Sequence, residues 1–466
     1  MECMELNDMW ENIKEKYIAP LEFYQRVCRI AVPIALQQIL NQAASFVDTI
    51  MVSQIGAVGA VAVATQLDTL LMNVGFGINS GAQMYASQFY GAGDQKSLKK
   101  IFGFQLSLNL LNAVIFFCIA AFFGRNVIAF YSSNDAEMIE VGLQYMRIAC
   151  FAYLATAITN TYSFMYRSIQ KTKIPMYIGT FVMAANAFLN YCLIFGHFGL
   201  PEMGVAGAAL ATVIATVAGA CIHIGYAYCT HQPFIGKFKE MFGLSMKFIK
   251  PIFKRMIPLI INETMFGFGN SMYIKAYGLL GKTSLEIYKI GDTVSKFFYV
   301  CVQGLNSATG LVVGEQLGKK NLDMARRYGG YLVSVAVTLA VIFTTLIFIF
   351  AGPMVSLFGL KDPYVYQGAV MIVRLFSIRI ATRLFNVIIM SSLRAGGDSL
   401  FLMFLDCGIM WIVGIPLAFS SVYLFHVTSI TLLFAIIQLE QITRLFVGFA
   451  RYKQGKWIRN LTAETA

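Results

Sequence analysis

Apolar residues fill this chain in long runs that short polar stretches interrupt at nearly regular intervals. The runs cover 30–50, 59–86, 101–123, 141–163, 176–197 and 205–229, then 257–279, 287–313, 329–351, 366–390, 401–424 and 429–450. Each is close to or above the roughly 20 residues a helix needs to cross a bilayer. The pattern predicts an all-α membrane protein of twelve transmembrane helices. Its longest internal connection, 230–254, divides six spans from six. The expected organisation is an N-terminal segment 1–29, an N-lobe 30–229, a linker 230–254, a C-lobe 255–450 and a tail 451–466.

The two sets of six are copies. Arg147 and Arg167 return as Arg374 and Arg394 at one spacing (374 − 147 = 227 and 394 − 167 = 227). The same shift carries Gly77, Asn79, Ser80, Gly91 and Gly103 onto Gly304, Asn306, Ser307, Gly318 and Gly330, and Lys99-Lys100 onto Arg326-Arg327. Each copy opens with a proline, Pro33 and Pro258, here at a shift of 225 (258 − 33 = 225). Two residues of slippage therefore fall between the opening helix and Asn79. Six spans is an even number, so both copies enter the membrane the same way and their symmetry axis runs along its normal. In duplicated transporters the working site lies near the interface of the repeats.

Composition agrees with the pattern. Of 466 residues, 58% are hydrophobic and 13% charged, with a mean hydropathy of +0.65. A soluble chain would carry about 25% charged residues. The net charge of +12 changes meaning once it is placed on the spans. Lys96, Lys99, Lys100, Arg167, Lys171, Lys173, the linker lysines, Lys319, Lys320, Arg326, Arg327 and Arg451 to Arg459 all fall on one side. The opposite loops hold little beyond Arg125, Lys282 and Lys361. Such asymmetry marks the cytoplasmic side and puts both termini there. The basicity therefore reports orientation in a plasma membrane, the bacterial inner membrane, and not a nucleic-acid partner. The 230–254 linker is expected to lie along the headgroups. Residues 1–29 lack an apolar core of the signal-peptide kind, and Met9, Ile13, Lys16 and Ile18 hint at a short interfacial helix. The cysteines form no C-x-x-C pair and the four histidines lack ligand spacing, so disulfide and zinc roles are not expected.

Charge inside the spans is where chemistry is sought, because an ionisable group at membrane depth is costly unless paired, protonated or wet. Asp48 is the sharpest case, late in the first span with apolar neighbours. Asn186 and Asn190 lie one helical turn apart in the fifth span, and Thr212 in the sixth could join them. Carboxylate, amide and hydroxyl oxygens suit a hard cation such as Na⁺; interhelical packing is the alternative role for the amides. In the second copy Glu263 follows Pro258 by five residues, and Asp292 and Lys296 are spaced i, i+4 as an ion pair would be. Lys275 or Tyr273 falls opposite Asp48, depending on which shift applies. Asp68, Arg379 and Arg383 are further intramembrane charges placed at the cleft; the two arginines, spaced i, i+4, could neutralise nearby carboxylates, attract an anionic substrate group, or serve only packing or snorkelling. Asp48, Glu263, Asp292 and Arg383 do not repeat in the other copy, so function is expected in these mismatches. No metalloprotease, nucleophile-elbow or phosphate-loop motif is present, and an ion gradient is the energy source that remains.

Several ordered segments resemble one family, the multidrug and toxic compound extrusion (MATE) transporters. They are Pro33 with Phe46-Val-Asp-Thr-Ile-Met51, Gly91-Ala-Gly-Asp94, Asn186 to Gly196 (NAFLNYCLIFG), Gly204 to Thr212 (GVAGAALAT), Leu393-Arg-Ala-Gly-Gly-Asp398 and Gly414-Ile-Pro416. Asp406, Trp411, Pro416, Glu440 and Lys456-Trp457 are similar to a bacterial branch. The resemblance implies two six-helix lobes around a V-shaped cleft and export of organic substrates against H⁺ or Na⁺, with no other cofactor. It implies a cation site at Asp48, Asn186, Asn190 and Thr212, and a role for Glu263 as the family's seventh-span carboxylate. Asn190 departs from the pattern, because many of the family carry Asp there. The expected protein is a monomeric antiporter of small molecules in the lipid bilayer. A flippase of lipid-linked sugars is the alternative; an intramembrane enzyme and a passive channel fit the residues less well.

Overall fold

A computed structural model describes residues 17–132, 135–360 and 362–465. Met9, Ile13, Lys16 and Lys361 lie outside these ranges. Among the described residues, twelve long helical segments follow one another. The first six are Leu21–Gln54, Val58–Ala92 with a break at Thr65, Gln95–Tyr131, the pair Ala136–Ala149 and Ala152–Ser168, Lys173–Phe195 and Gly204–Cys229. The second six are Met246–Gly278, Lys282–Gly318, Leu322–Ser356, Pro363–Ala395, Ser399–Tyr423 and Ile430–Lys453. They are called the first to twelfth helices below. Each expected span falls within one of them to a residue or two, and the expected twelve helices in two sets of six hold.

Nine of these helices are long and apolar enough to cross a membrane on their own, and the pair 136–168, bent by 53°, makes a tenth. The seventh and tenth carry more polar residues: Asn262, Glu263, Asn270 and Lys275 in one, Arg374, Arg379, Arg383 and Arg394 in the other. The longest helices, of 37 residues, would extend roughly 55 Å at 1.5 Å per residue. That exceeds a hydrocarbon layer of about 30 Å, so their ends stand beyond it.

The first helix begins at Leu21, nine residues before the apolar run. Phe23, Val27, Ile30 and Ile34 recur at helical spacing and are buried, while Arg26 on another face pairs with Glu315. Phe23 packs on the rings of Tyr328 and Tyr331 at 4.7 and 5.4 Å. The mixed charges of this stretch therefore mark an amphipathic helix start.

Packing forms two compact units, Leu36–Ile260 and the described residues up to Ala35 with Ile261–Glu464; they are called the N and C units. The unit boundaries fall two residues after each opening proline, Pro33 and Pro258. Glycine allows the closest helix approaches, as in membrane packing generally. In the N unit a Cβ on Gly77 would come within 2.5 Å of the Ile260 backbone. In the C unit its repeat mate Gly304 is approached by the Ala31 carbonyl, at 2.8 Å from a Cβ.

Each unit is strapped by the segment that follows its sixth helix. In the N unit Phe234 is fully buried against Phe102, Tyr162 and Tyr166, and Lys171 Nζ donates to Gln232 Oε1 at 2.8 Å. In the C unit Trp457 stacks on Tyr452 at 5.1 Å, Leu461 is buried, and Asn460 donates to the Leu317 carbonyl at 2.6 Å. Phe234 and Leu461 stand at the repeat spacing (461 − 234 = 227). The tail is thus part of the packed unit.

Candidate functional site

In the N unit, hydrogen bonds link the first, fifth and sixth helices. Asn190 Nδ2 donates to Asp48 Oδ1 at 2.7 Å and to Asn186 Oδ1 at 3.2 Å, and Asn186 Nδ2 donates to Thr212 Oγ1 at 3.3 Å. All four residues expected at a cation site are therefore together. Asp48, Asn190 and Thr212 line a cavity of about 280 Å³ with Ser45, Thr65 and Tyr145. Asn190 is buried, and its Oδ1 has no hydrogen-bond partner. One carboxylate, two amides and a hydroxyl are thus chained by hydrogen bonds, with the Asn190 nitrogen turned to Asp48; oxygens of these kinds suit a proton or a small hard cation. Asp68 does not stand with the C-unit charges it was grouped with. Its Oδ1 accepts from the Tyr153 hydroxyl at 2.5 Å within the N unit. Tyr145 and Tyr153 gave no sequence signal, because tyrosine in a span reads equally as packing.

The C unit holds a larger cavity of about 670 Å³. It brings together Asp292, Lys296, Arg379 and Arg383, as expected, and adds Tyr273, Tyr277, Tyr288, Tyr299 and Glu440. Lys296 Nζ lies 3.0 Å from Asp292 Oδ2, so the i, i+4 pair forms. Tyr273, one of the two residues set opposite Asp48, is buried and donates to Glu440 Oε2 at 2.6 Å; Lys275 is exposed. Glu263 does not line this cavity, because its carboxylate turns to Arg394, at 3.2 Å.

Behind the cavity lies an ion network that sequence reasoning missed. Arg444 is fully buried, donates Nη1 to Asp406 Oδ1 at 2.6 Å and Nη2 to the Asp406 carbonyl at 2.8 Å, and pairs with Glu440. Asn262 Nδ2 also donates to Asp406, at 3.2 Å, and Arg383 stands 4.0 Å away. Glu440 and Arg444 are spaced i, i+4 like Asp292 and Lys296, so the same reading would have found them. Asp406 sits in a π-helical turn, Phe404–Gly408, followed by a second at Met410–Gly414. Such wide turns often mark functional positions. Gly414 follows from them: a Cβ there would meet the Tyr273 hydroxyl oxygen at 1.9 Å and Glu440 at 3.0 Å.

One expected mismatch is a match. Arg394 reaches Glu263, and its repeat mate Arg167 donates Nη2 to Gln37 Oε1 at 2.8 Å. Gln37 and Glu263 differ by 226 (263 − 37 = 226), midway in the slippage between the prolines and Asn79. The position repeats as a clasp from the opening helix to a guanidinium, with an amide in one copy and a carboxylate in the other. Identity-based comparison of the copies hides it.

Two homologous six-helix copies, packed as two units that each hold a cavity lined by polar and charged side chains, define a multi-pass membrane transporter. The MatE family model matches residues 33–192 and 258–420, once per copy, and the chain belongs to this bacterial family of MATE transporters. It is 25% identical to an uncharacterized transporter, YisQ, of Bacillus subtilis, over 83% of this chain and 85% of that one. It is 24% identical to a probable multidrug resistance protein, NorM, of Thermotoga maritima, over 96% of both. Among solved structures, MATE in the straight conformation aligns with a TM-score of 0.83 at 15% identity, covering 95% of this chain and 98% of that one. An outward-facing multidrug resistance MATE transporter aligns at 0.82 and 16% identity, over 95% and 96%. These are transporters, not enzymes.

Proposed function

We propose that the chain is an ion-coupled antiporter that exports small organic, xenobiotic compounds across the plasma membrane by alternating access, taking H⁺ or Na⁺ in exchange. It works as a monomer, with both termini in the cytoplasm. The observation that carries this reading is the run of hydrogen bonds from Asp48 through Asn190 and Asn186 to Thr212. With Asp48 ionised, the amide nitrogen of Asn190 faces it and the amide oxygen stays unpaired. A proton on Asp48 makes the carboxyl a donor, which favours turning Asn190 so that Oδ1 faces it. A cation would draw in the same oxygens. In either case the bond between the first and fifth helices is rewritten, and that change reorganises the N unit and releases substrate. One charge crossing about 100 mV supplies about 2.3 kcal/mol, close to a fifty-fold concentration ratio. The Thermotoga relative's designation as a probable multidrug resistance protein supports the substrate class.

The test is efflux in inverted vesicles, with Na⁺ and H⁺ gradients imposed separately. Wild type should respond to one of them, and Asp48→Asn should lose transport while still inserting in the membrane. Wild-type efflux from Asp48→Asn would refute the assignment. Flipping of a lipid-linked sugar is the second reading, favoured by Arg379 and Arg383 in the C-unit cavity. The acids beside them and a volume suited to a drug-sized molecule place it second.

A further inference from the structure

We infer that the C-unit cavity is an anion site, built for an aromatic molecule that bears an acid group, with Arg379 as its counter-charge. The inference rests on the transporter reading and names a substrate class for it. At about 670 Å³ the cavity lies in the range of small-molecule pockets, about 300–1,000 Å³. Tyrosines 273, 277, 288 and 299 and Phe376 line it, and they offer ring faces and hydroxyl groups to a flat apolar ligand.

Charge decides the sign of that ligand. The acids in and around the cavity are answered: Asp292 by Lys296, Glu263 by Arg394, Glu440 by Arg444, and Asp406 by Arg444 and Arg383. Two cations on its wall are left over, the exposed Lys289 and the half-buried Arg379. Among the described residues no carboxylate lies within 4.0 Å of Arg379, and its Nε is buried without a hydrogen-bond partner. Its guanidinium instead stands 5.7 and 5.6 Å from the ring centres of Phe376 and Phe434. Ring faces offset only part of the cost of an unpaired, half-buried cation. An oxyanion would complete it, because the guanidinium fork can pair with two oxygens of a carboxylate or of a sulfonate. A cationic ligand would meet Arg379 in a poorly screened space, and to use Asp292 or Glu440 it would have to displace Lys296 or Arg444.

The experiment measures binding to the purified full-length protein in detergent by titration calorimetry. Three probes share one ring system: 2-naphthalenesulfonate, the neutral 2-naphthalenesulfonamide and (2-naphthylmethyl)trimethylammonium. Wild type should bind the sulfonate at least tenfold more tightly than either other probe. Arg379→Gln should lose at least tenfold for the sulfonate and change the sulfonamide by less than twofold, and Arg379→Lys should keep part of the preference. Tighter binding of the ammonium to wild type would overturn the inference. So would unchanged sulfonate affinity in monodisperse Arg379→Gln. If that variant does not fold, the wild-type ranking and Arg379→Lys still decide. Proteoliposomes separate the two readings. Gradient-driven movement of the ammonium alone would overturn the anion site and leave the antiporter. Sulfonate-selective binding, with no gradient moving any probe, would overturn the antiporter and leave the site.

Discussion

Arg444→Leu measures how much of the C unit's stability depends on its buried ion network. Leucine removes a guanidinium that makes two hydrogen bonds to Asp406 and pairs with Glu440. Both carboxylates stay where they were, 5% and 1% exposed. Removing one partner of a buried ion pair costs about 3–5 kcal/mol, chiefly through the stranded charge. Asp406 keeps Arg383 at 4.0 Å and Asn262 at 3.2 Å. Glu440 keeps only neutral donors, Tyr273 at 2.6 Å and Gln441 at 3.3 Å. One charge is stranded and the other half-compensated, which sets the loss at about 3 kcal/mol. For a folding unit of about 200 residues, each kcal/mol moves the midpoint by about 2–4 °C, so Tm should fall by roughly 6–12 °C. The assay is the fraction of monodisperse protein left after heating, read by size exclusion. Adding Glu440→Gln to Arg444→Leu should recover more than half of the loss, since it removes the stranded charge. A midpoint within 2 °C of wild type for Arg444→Leu would refute the reasoning, and so would a deeper loss in the double variant.

Three further outcomes follow from geometry already described. Gly414→Ala should separate Tyr273 from Glu440 and destabilise by about 1–3 kcal/mol, as overpacking does; an unchanged thermal midpoint would show the site has room. Trp457→Ala should cost about 3–5 kcal/mol and free residues 454–464, so limited proteolysis with mass readout should cut the tail there, and wild-type resistance would count against the strap. Glu240 in the linker accepts from Lys99 Nζ at 3.0 Å and from the Lys237 amide at 2.9 Å. The Lys99 hydrogen bond, then the Lys237 backbone bond, hold its carboxyl below the usual range. A lowered folded-state value stabilises above the unfolded one and is lost as pH falls through the folded one. Hydrogen exchange of 237–243 at matched pH should therefore be slightly faster in Glu240→Gln than in wild type at neutral pH. The difference should vanish below the ordinary carboxylate range; its persistence in acid would exclude the carboxylate as the cause.

The helices were legible in the sequence because a bilayer permits few ways to satisfy a backbone, and a 20-residue apolar run is a strong constraint. What the runs missed were the packed segments beyond them, one a helix start and one a tail. Leu21 to Arg29 and the segment after Lys453 carry mixed charge, yet Phe23, Val27, Trp457 and Leu461 bury one face of each. The cation-site residues were found because Asp48 and the amides are out of place in an apolar span. Arg444 and Glu440 were equally out of place, at the middle of the twelfth helix and spaced i, i+4, but were not read as a pair. Tyr145 and the cavity tyrosines were invisible for a different reason: in a membrane chain a tyrosine marks an interface, a packing ring or a ligand contact alike. The slippage from 225 to 227 hid Gln37 behind Glu263.

That last pair gives the duplication an experimental use. The clasp from Arg167 to Gln37 needs no ionised partner, and acidity leaves it alone. The clasp from Arg394 to Glu263 is ionic only while Glu263 is without its proton. One fastening can be undone by a proton and its twin cannot. Each copy thus carries the other's variant in place, Gln for Glu, on the same backbone and facing the same guanidinium. The protein holds its own internal control. Exchanging the two residues, Gln37→Glu with Glu263→Gln, would move acid sensitivity from one copy to the other and leave the sum of the side chains unchanged.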